Sequence, residues 1–222
     1  MSQFDYRRTY RRNLPHIQPP GASFFLTFRL AGSLPHAVVV QWKREQAWLM
    51  HLAETNAAHY QRVKSDFERV WFTKFESLLD GAVVGPVWLS NQDVASSVAE
   101  ALHYRDGKAY RLDAFTIMSN HVHAVVKPLP VVQGKLNKIH LLSDNVEYRS
   151  LARITQSLKG CTAFKANRIL RREGEFWAHE SYDHWVRDAQ EKQRIIAYTL
   201  NNPLKAGYVQ NWRDWKWSYR RA

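Results

Sequence analysis

Two short apolar segments that flank a Ser-Asn pair place the strongest constraint on the fold. Apolar side chains dominate residues 111–118 and 122–127, with the small polar pair between them. Two such segments around a polar pair are typical of a β-hairpin, in which successive side chains point to opposite faces. The second segment contains His121 and His123, which are two residues apart. We therefore expect both imidazoles on one face of an antiparallel sheet, with Val122 packed on the other face.

The rest of the chain predicts a mixture of strands and helices. Residues 23–30 are aromatic and β-branched, which favours a strand. Apolar residues at spacings of three and four predict helices over 36–79, 92–103 and 147–170, the first of which can break near Asn56. Asp188 can cap a last helix that Pro203 and Gly207 end. Residues 129–145 are typical of a loop, and 176–187 show no clean period.

The charge balance favours a polyanionic partner. The chain has 32 Lys and Arg residues against 20 Asp and Glu residues, a formal net charge of +12. An excess of this size attracts phosphate backbones, although it can also serve only to keep a protein in solution. The single cysteine, Cys161, excludes an internal disulfide framework and a cysteine-rich zinc site. There is no signal-like apolar start and no membrane-length apolar stretch, so we expect a cytoplasmic protein without a membrane partner.

The histidine pair is a candidate site for a divalent cation. Two imidazoles on one face of a strand can bind a cation if a third ligand comes from another element. The spacing does not choose among magnesium, manganese and zinc. The alternative is a pair of ordinary histidines on a half-buried strand.

The last predicted helix offers a nucleophile and a third ligand. Tyr198 and Asn202 are four residues apart and so share a helix face. If this face packs on the histidines, Asn202 would complete the cation site, and Tyr198 would attack a polarised phosphate to form a covalent phosphotyrosine. Alternatively, Tyr198 is a packed aromatic and Asn202 only ends the helix. Tyr182 is a rival nucleophile, although no polar partner follows it one helical turn later.

Basic residues elsewhere predict contacts with DNA. Arginines alternate with tyrosines in an N-terminal arm, which suits binding of phosphates and unpaired bases. The predicted DNA contacts are Arg7, Arg8, Arg11, Arg12, Lys159, Lys165, Arg168 and Arg187. The alternatives are a disordered tail, a solvated helix face, and pairing of Arg187 with Asp183 or Asp188.

Several segments together resemble one protein family. Residues 114–126, with the sequence Ala-Phe-Thr-Ile-Met-Ser-Asn-His-Val-His-Ala-Val-Val, resemble the HUH segment of single-tyrosine transposases. Residues 176–207 resemble the tyrosine-bearing half of the REP-associated tyrosine transposases. The basic arm with residues 24–29, and the closing residues 215–219, are also similar to that family. The resemblance covers most of the chain in the order expected of the family.

The resemblance implies an α+β fold with a central antiparallel sheet of ferredoxin-like, HUH type and flanking helices. It implies that Tyr198 is the nucleophile and that His121, His123 and Asn202 bind Mg²⁺ or Mn²⁺. It also implies cleavage and rejoining of single-stranded DNA at hairpins formed by repetitive extragenic palindromes (REP). Cleavage would leave a 5′-phosphotyrosine and a free 3′-hydroxyl, with no need for ATP.

The expected organisation is a basic arm (1–22), a catalytic domain (23–210) and an aromatic, basic tail (211–222). The helical segment 36–80 within the catalytic domain is longer than we expect of the family. It leaves open a dimer surface or a DNA-holding extension, so we expect a monomer or a homodimer. The alternative function is a non-catalytic DNA- or RNA-hairpin-binding protein on the same fold, which would not need His121, His123 and Tyr198 together.

Overall fold

The computed structural model describes residues 9–11, 15–81, 84–131 and 147–222. Their elements are β1 (Thr9–Arg11), β2 (Pro15–Ile17), β3 (Ser23–Leu30), α1 (His36–Thr55), α2 (Ala57–Asp80), α3 (Gln92–Arg105), β4 (Tyr110–Ile117), β5 (His121–Pro128), α4 (Leu151–Ile169), β6 (Trp177–Val186), α5 (Ala189–Lys205) and β7 (Ser218–Arg220). Short 3₁₀ helices cover Trp88–Ser90 and Trp212–Asp214. No helix in the described ranges is long and apolar enough to cross a membrane.

A five-stranded antiparallel sheet organises the chain, with the strand order β6-β3-β5-β4-β7. Without β7, the order is that of a ferredoxin-like unit, since α3 lies between β3 and β4 in the chain and α4 lies between β5 and β6. The helices α1 and α2 are inserted between β3 and α3, and β1 and β2 form a separate ribbon. The predicted α+β fold with an antiparallel sheet, flanking helices and a helical insertion is confirmed.

The two faces of the sheet bury different sets of side chains because residues alternate along each strand. The larger core joins the sheet to α3 and α4 and includes Phe24, Phe28, Val122, Leu102 and Leu158. The smaller core lies on the opposite face and joins Phe25, Ala114 and Val125 to Ile196 and Leu200 of α5. Phe72 of α2 packs against this smaller core. The inserted helix α2 and the last helix α5 therefore meet on the same face of the sheet.

The insertion is a helical hairpin that breaks at Asn56, and one continuous helix, which the sequence left equally open, is not formed. The Asn56 side chain accepts a hydrogen bond from the backbone N–H of His59, so it caps the start of α2. The indole N–H of Trp71 donates to Glu45 at 2.8 Å, and the rings of Trp42 and Phe75 lie 5.4 Å apart. These contacts hold α1 against α2.

Three elements differ from the sequence expectations. Residues 177–186 form a ten-residue strand despite their lack of period, because β6 is an edge strand and most of its side chains are only partly buried. Helix α5 continues through Pro203 to Lys205, and the left-handed Gly207 (φ 72°) follows it. Most of the predicted 129–145 loop lies outside the described residues. The strand β7, within the expected 211–222 tail, extends the main sheet.

Candidate functional site

The histidine pair lies on β5, the middle strand of the sheet. His121 and His123 are fully buried, and their Nε2 atoms are 3.0 Å apart. They share a face of the sheet with Phe25 and Val125. In the β3–β5 pairing, Phe25 lies opposite Val125, and Thr27 lies opposite His123 two residues further along. Both imidazoles thus share one face, as the period of the strand predicted, and α2 and α5 pack on that face.

A second layer of hydrogen bonds orients the two rings. The Asn120 amide donates to the carbonyl of Leu79 at 3.0 Å, which leaves its Oδ1 to accept from His121 Nδ1 at 2.7 Å. His121 therefore carries its proton on Nδ1 and presents a lone pair at Nε2. Thr27 Oγ1 lies 2.8 Å from His123 Nδ1 and holds the second ring. Burial and the neighbouring His123 lower the pKa of His121 to about 3, so its ring is neutral.

Two carboxylates of the insertion reach the histidines. Glu76 is buried, and its Oε2 lies 3.1 Å from His123 Nε2. One ligand atom each of Glu76, His121 and His123 lies within 4.8 Å of the others. Asp80, one helical turn later, has Oδ1 3.9 Å from His121 Nε2. Burial would raise the pKa of Glu76, but interactions with His123 and the Tyr198 hydrogen bond lower it to about 2. Burial and Glu76 raise the pKa of Asp80 to about 6.

Tyr198 of α5 packs into the same cluster. Its ring centroid lies 5.8 Å from that of His123 and 5.9 Å from that of Phe25. Its hydroxyl donates a hydrogen bond to Glu76 Oε2. Burial, followed by the charge and the hydrogen bond of Glu76, raises the pKa of Tyr198 well above its usual range. The phenol is therefore protonated in this arrangement.

Asn202 follows one turn after Tyr198 and is fully buried. Its Nδ2 donates to the Tyr198 carbonyl at 3.0 Å, whereas its Oδ1 has no hydrogen-bond partner among the described residues. A buried oxygen left without a partner costs about 1–3 kcal/mol, and a cation or a water molecule removes that cost. Asp80 Oδ1 is a second buried oxygen without a hydrogen bond among these residues.

The donor atoms of this cluster fit a divalent cation. It offers two imidazole nitrogens and a carboxylate oxygen, with no thiolate. Such mixed nitrogen and oxygen sets bind divalent metals in proteins. The hydrogen bonds to both Nδ1 atoms are the outer contacts that ligating histidines usually make.

The predicted DNA contacts fall into different surroundings. Lys159 is engaged within the chain, since its ammonium donates to the carbonyls of Ala178 and His179 and to Ser181 Oγ. Arg187 pairs with Glu191 at 3.6 Å. Lys165 and Arg168 are exposed on α4. Lys165 Nζ lies 3.9 Å from Glu100 Oε2, and the Arg168 guanidinium lies over the Phe164 ring. Arg7, Arg8 and Arg12 lie outside the described residues, and the side chain of Arg11 is not described.

Tyr182 lies on β6 at the edge of the smaller core. Its ring centroid is 4.8 Å from that of Phe72 and 6.3 Å from that of Phe25. The rival tyrosine is therefore part of the aromatic packing between α2 and the sheet.

Sequence reasoning missed Glu76, Asp80, Thr27 and Asn120. The spacing of Glu76 and Asp80 at four residues is visible in the sequence, but the face that they share becomes meaningful only when α2 packs on β5. The one signal in the local sequence was the position of Asn120 next to His121, whose ring its side chain holds through a hydrogen bond.

Two curated proteins and one solved structure are similar to this chain. No protein-family model matches the chain. A Haemophilus influenzae protein that is provisionally named a REP-associated tyrosine transposase is 28% identical over 105 residues, which are 47% of this chain and 56% of that protein. An uncharacterised Haemophilus influenzae protein is 29% identical over 100 residues, which are 42% of this chain and 54% of that protein.

The solved structure of a REP-associated tyrosine transposase bound to a REP hairpin aligns with a TM-score of 0.48 at 12% identity, covering 94% of this chain and 80% of that one. The matches to the curated relatives span about half of their length. The resemblance to REP-associated tyrosine transposases that the sequence predicted is confirmed by the named relative.

Proposed function

We propose that this chain cleaves and rejoins single-stranded DNA at palindromic, REP-like hairpins, with Tyr198 as the nucleophile. The observation that carries the proposal is the packing of α5 on the histidine face of the sheet, which brings the Tyr198 ring to 5.8 Å from that of His123. The name of the Haemophilus influenzae relative and the net charge of +12 support a DNA substrate.

His121, His123 and Asn202 would hold a divalent cation, Mg²⁺ or Mn²⁺. A carboxylate oxygen of Glu76 lies within 4.8 Å of a ring nitrogen of each histidine. The unpartnered Asn202 Oδ1 and the lone pair at His121 Nε2 support this set. When bound, the cation would polarise the scissile phosphate and stabilise the charge that develops on it. Asn120 and Thr27 would keep the two rings in the ligating orientation.

The reaction follows from the chemistry of the phenol. The Tyr198 oxygen forms a bond to phosphorus while the bond to the 3′ oxygen breaks, which yields a 5′-phosphotyrosine and a free 3′-hydroxyl. As this bond forms, the phenol proton passes along the hydrogen bond to Glu76 Oε2, and the departing 3′ oxygen takes up a proton to become the hydroxyl. Attack of a 3′-hydroxyl on the phosphotyrosine reverses the step and rejoins the strand, so no ATP is consumed.

An adduct assay tests the proposal. The full chain is incubated with hairpin-bearing single strands and Mn²⁺, and the products are separated on a denaturing protein gel. We expect a covalent protein–DNA band that EDTA prevents, and no such band with a perfect duplex of the same sequence. Equal cleavage of the duplex, or no adduct with any hairpin strand, would refute the proposal.

A second candidate function is hairpin binding without cleavage. The observation that favours it is the hydrogen bond of the Tyr198 hydroxyl to Glu76, because this contact keeps the phenol protonated. A protein of this kind would bind hairpins and give no adduct in the assay above.

A further inference from the structure

An aromatic pair lies beyond the end of α5 and is fixed to the hairpin that carries the histidines. The rings of Tyr208 and Trp215 are 5.0 Å apart, and 39% of Tyr208 is exposed. The Tyr208 hydroxyl donates to Ser119 Oγ at 3.0 Å, and the Trp215 indole donates to the Ile117 carbonyl at 3.0 Å. Both acceptors lie at the β4–β5 turn, a few residues before His121. The pair is thus held beside the candidate site.

The backbone also fixes the position of Tyr208. Gly207 adopts φ 72°, which reverses the chain after α5, and the Tyr208 N–H donates to the Pro203 carbonyl at 2.9 Å. The ring is therefore anchored through its backbone, its hydroxyl and its contact with Trp215. A ring that is already ordered loses little conformational freedom when a ligand stacks on it.

Positive charges lie over other aromatic rings that are close to this pair in the sequence. Lys205, in the last turn of α5, is exposed and has its Nζ 4.2 Å from the centroid of the Tyr198 ring. Two further cations, Arg213 and Lys216, lie over the neighbouring indole rings of Trp212 and Trp217. Aromatic rings that stack on bases, flanked by cations that bind phosphates, are the usual features of a single-strand binding surface.

We infer that Lys205, Tyr208 and Trp215 form a binding site for an unpaired nucleotide of the DNA strand that reaches Tyr198. The base stacks on the exposed Tyr208 ring, which Trp215 supports, and Lys205 binds the phosphate of the same strand. This site rests on the proposed function and adds to it the residues that hold the strand outside the hairpin stem.

Binding measurements in EDTA test this site without cleavage. Fluorescence anisotropy compares a labelled DNA hairpin that carries oligothymidine flanks with the same hairpin without flanks. Loss of one stacked base costs about 1–3 kcal/mol, so Tyr208→Ala should bind the flanked hairpin about 5- to 150-fold more weakly. Its affinity for the blunt hairpin should equal that of the wild type. Lys205→Gln should reduce the salt slope for the flanked hairpin by about one unit.

Two variants serve as matched controls. Tyr104 is 66% exposed and has Lys108 Nζ 3.5 Å from its ring centroid, so it is a similar tyrosine–lysine pair on another element. Tyr104→Ala should bind both hairpins like the wild type. Tyr208→Phe keeps the ring and should retain the affinity that Tyr208→Ala loses.

Either of two results would overturn the inference. Tyr208→Ala could bind the flanked hairpin as tightly as Tyr104→Ala does, or it could lose affinity equally for the blunt hairpin. The result is separable from that of the adduct assay. A flank-specific loss without any adduct refutes the proposed cleavage and retains the nucleotide site, whereas an adduct without a flank-specific loss refutes the site alone.

Discussion

Replacement of Asn120 by alanine should weaken metal binding although Asn120 is not a proposed ligand. Its side chain is 1% exposed and joins His121 Nδ1, at 2.7 Å, to the carbonyl of Leu79, at 3.0 Å. Without this acceptor, His121 can place its proton on either nitrogen, and only one of the two tautomers leaves Nε2 free for a metal. The substitution therefore acts on the orientation and the tautomer of one ligand.

The expected size of the effect follows from these contacts. Loss of an outer partner of a ligating histidine typically lowers metal affinity by about 10- to 100-fold, which corresponds to about 1.4–2.7 kcal/mol. The carbonyl of Leu79 also loses the hydrogen bond from this side chain, so we expect the free energy of unfolding to fall by about 1–3 kcal/mol. Both losses can be measured on the same variant.

Isothermal titration with MnCl₂ measures the affinity, and urea denaturation measures the stability. Asn91→Ala is the control, because Asn91 Oδ1 caps α3 through the N–H groups of Asp93 and Val94. Its loss should lower stability by about 1 kcal/mol and leave Mn²⁺ affinity unchanged. If Asn120→Ala and Asn91→Ala bind Mn²⁺ equally well, the assigned tautomer of His121 does not matter for the site.

Three further outcomes are expected. His121→Ala and His123→Ala should each abolish the metal-dependent cleavage that denaturing gels detect. Both variants should keep most hairpin binding, since that affinity depends on many basic residues. Cleavage at the wild-type rate would contradict the metal site. The arginines of the N-terminal arm are Arg7, Arg8, Arg11 and Arg12. Replacing them with alanine should flatten the salt dependence of hairpin binding by about one unit of slope per lost phosphate contact. An unchanged slope would show that the arm does not bind DNA. Phe28→Ala should lower the free energy of unfolding by about 3–5 kcal/mol, because the ring is fully buried in the larger core; a loss under about 1 kcal/mol would show that the core repacks around it.

The local patterns of the sequence were enough to place the histidines. The short apolar segments around Ser119 and Asn120 predict the β4–β5 hairpin. The period of two in a strand then places His121 and His123 on one face, independently of contacts with distant residues. The helical period likewise puts Tyr198 and Asn202 on one face of α5. Both patterns depend only on residues close in sequence, which is why they could be predicted.

The rest of the site depends on contacts between distant residues. Glu76 lies 47 positions before His123, so only the packing of α2 on the sheet shows that the two meet. Thr27 reaches His123 through the β3–β5 register, which no local pattern sets. The helix also continues past Pro203 to Lys205, although proline has no N–H to donate to the carbonyl four residues earlier.

The most direct test of the proposed function is the location of the DNA adduct. Tyr198→Phe removes only the phenolic oxygen, so the ring can keep its contacts with Phe25 and His123. This variant and Tyr182→Phe are incubated with hairpin-bearing single strands and Mn²⁺, and the adduct of the wild type is mapped by mass spectrometry of its peptides. We expect the DNA on Tyr198, no adduct from Tyr198→Phe, unchanged hairpin binding, and nearly normal cleavage by Tyr182→Phe. An adduct on Tyr182, or one that persists in Tyr198→Phe, would contradict the assignment of the nucleophile.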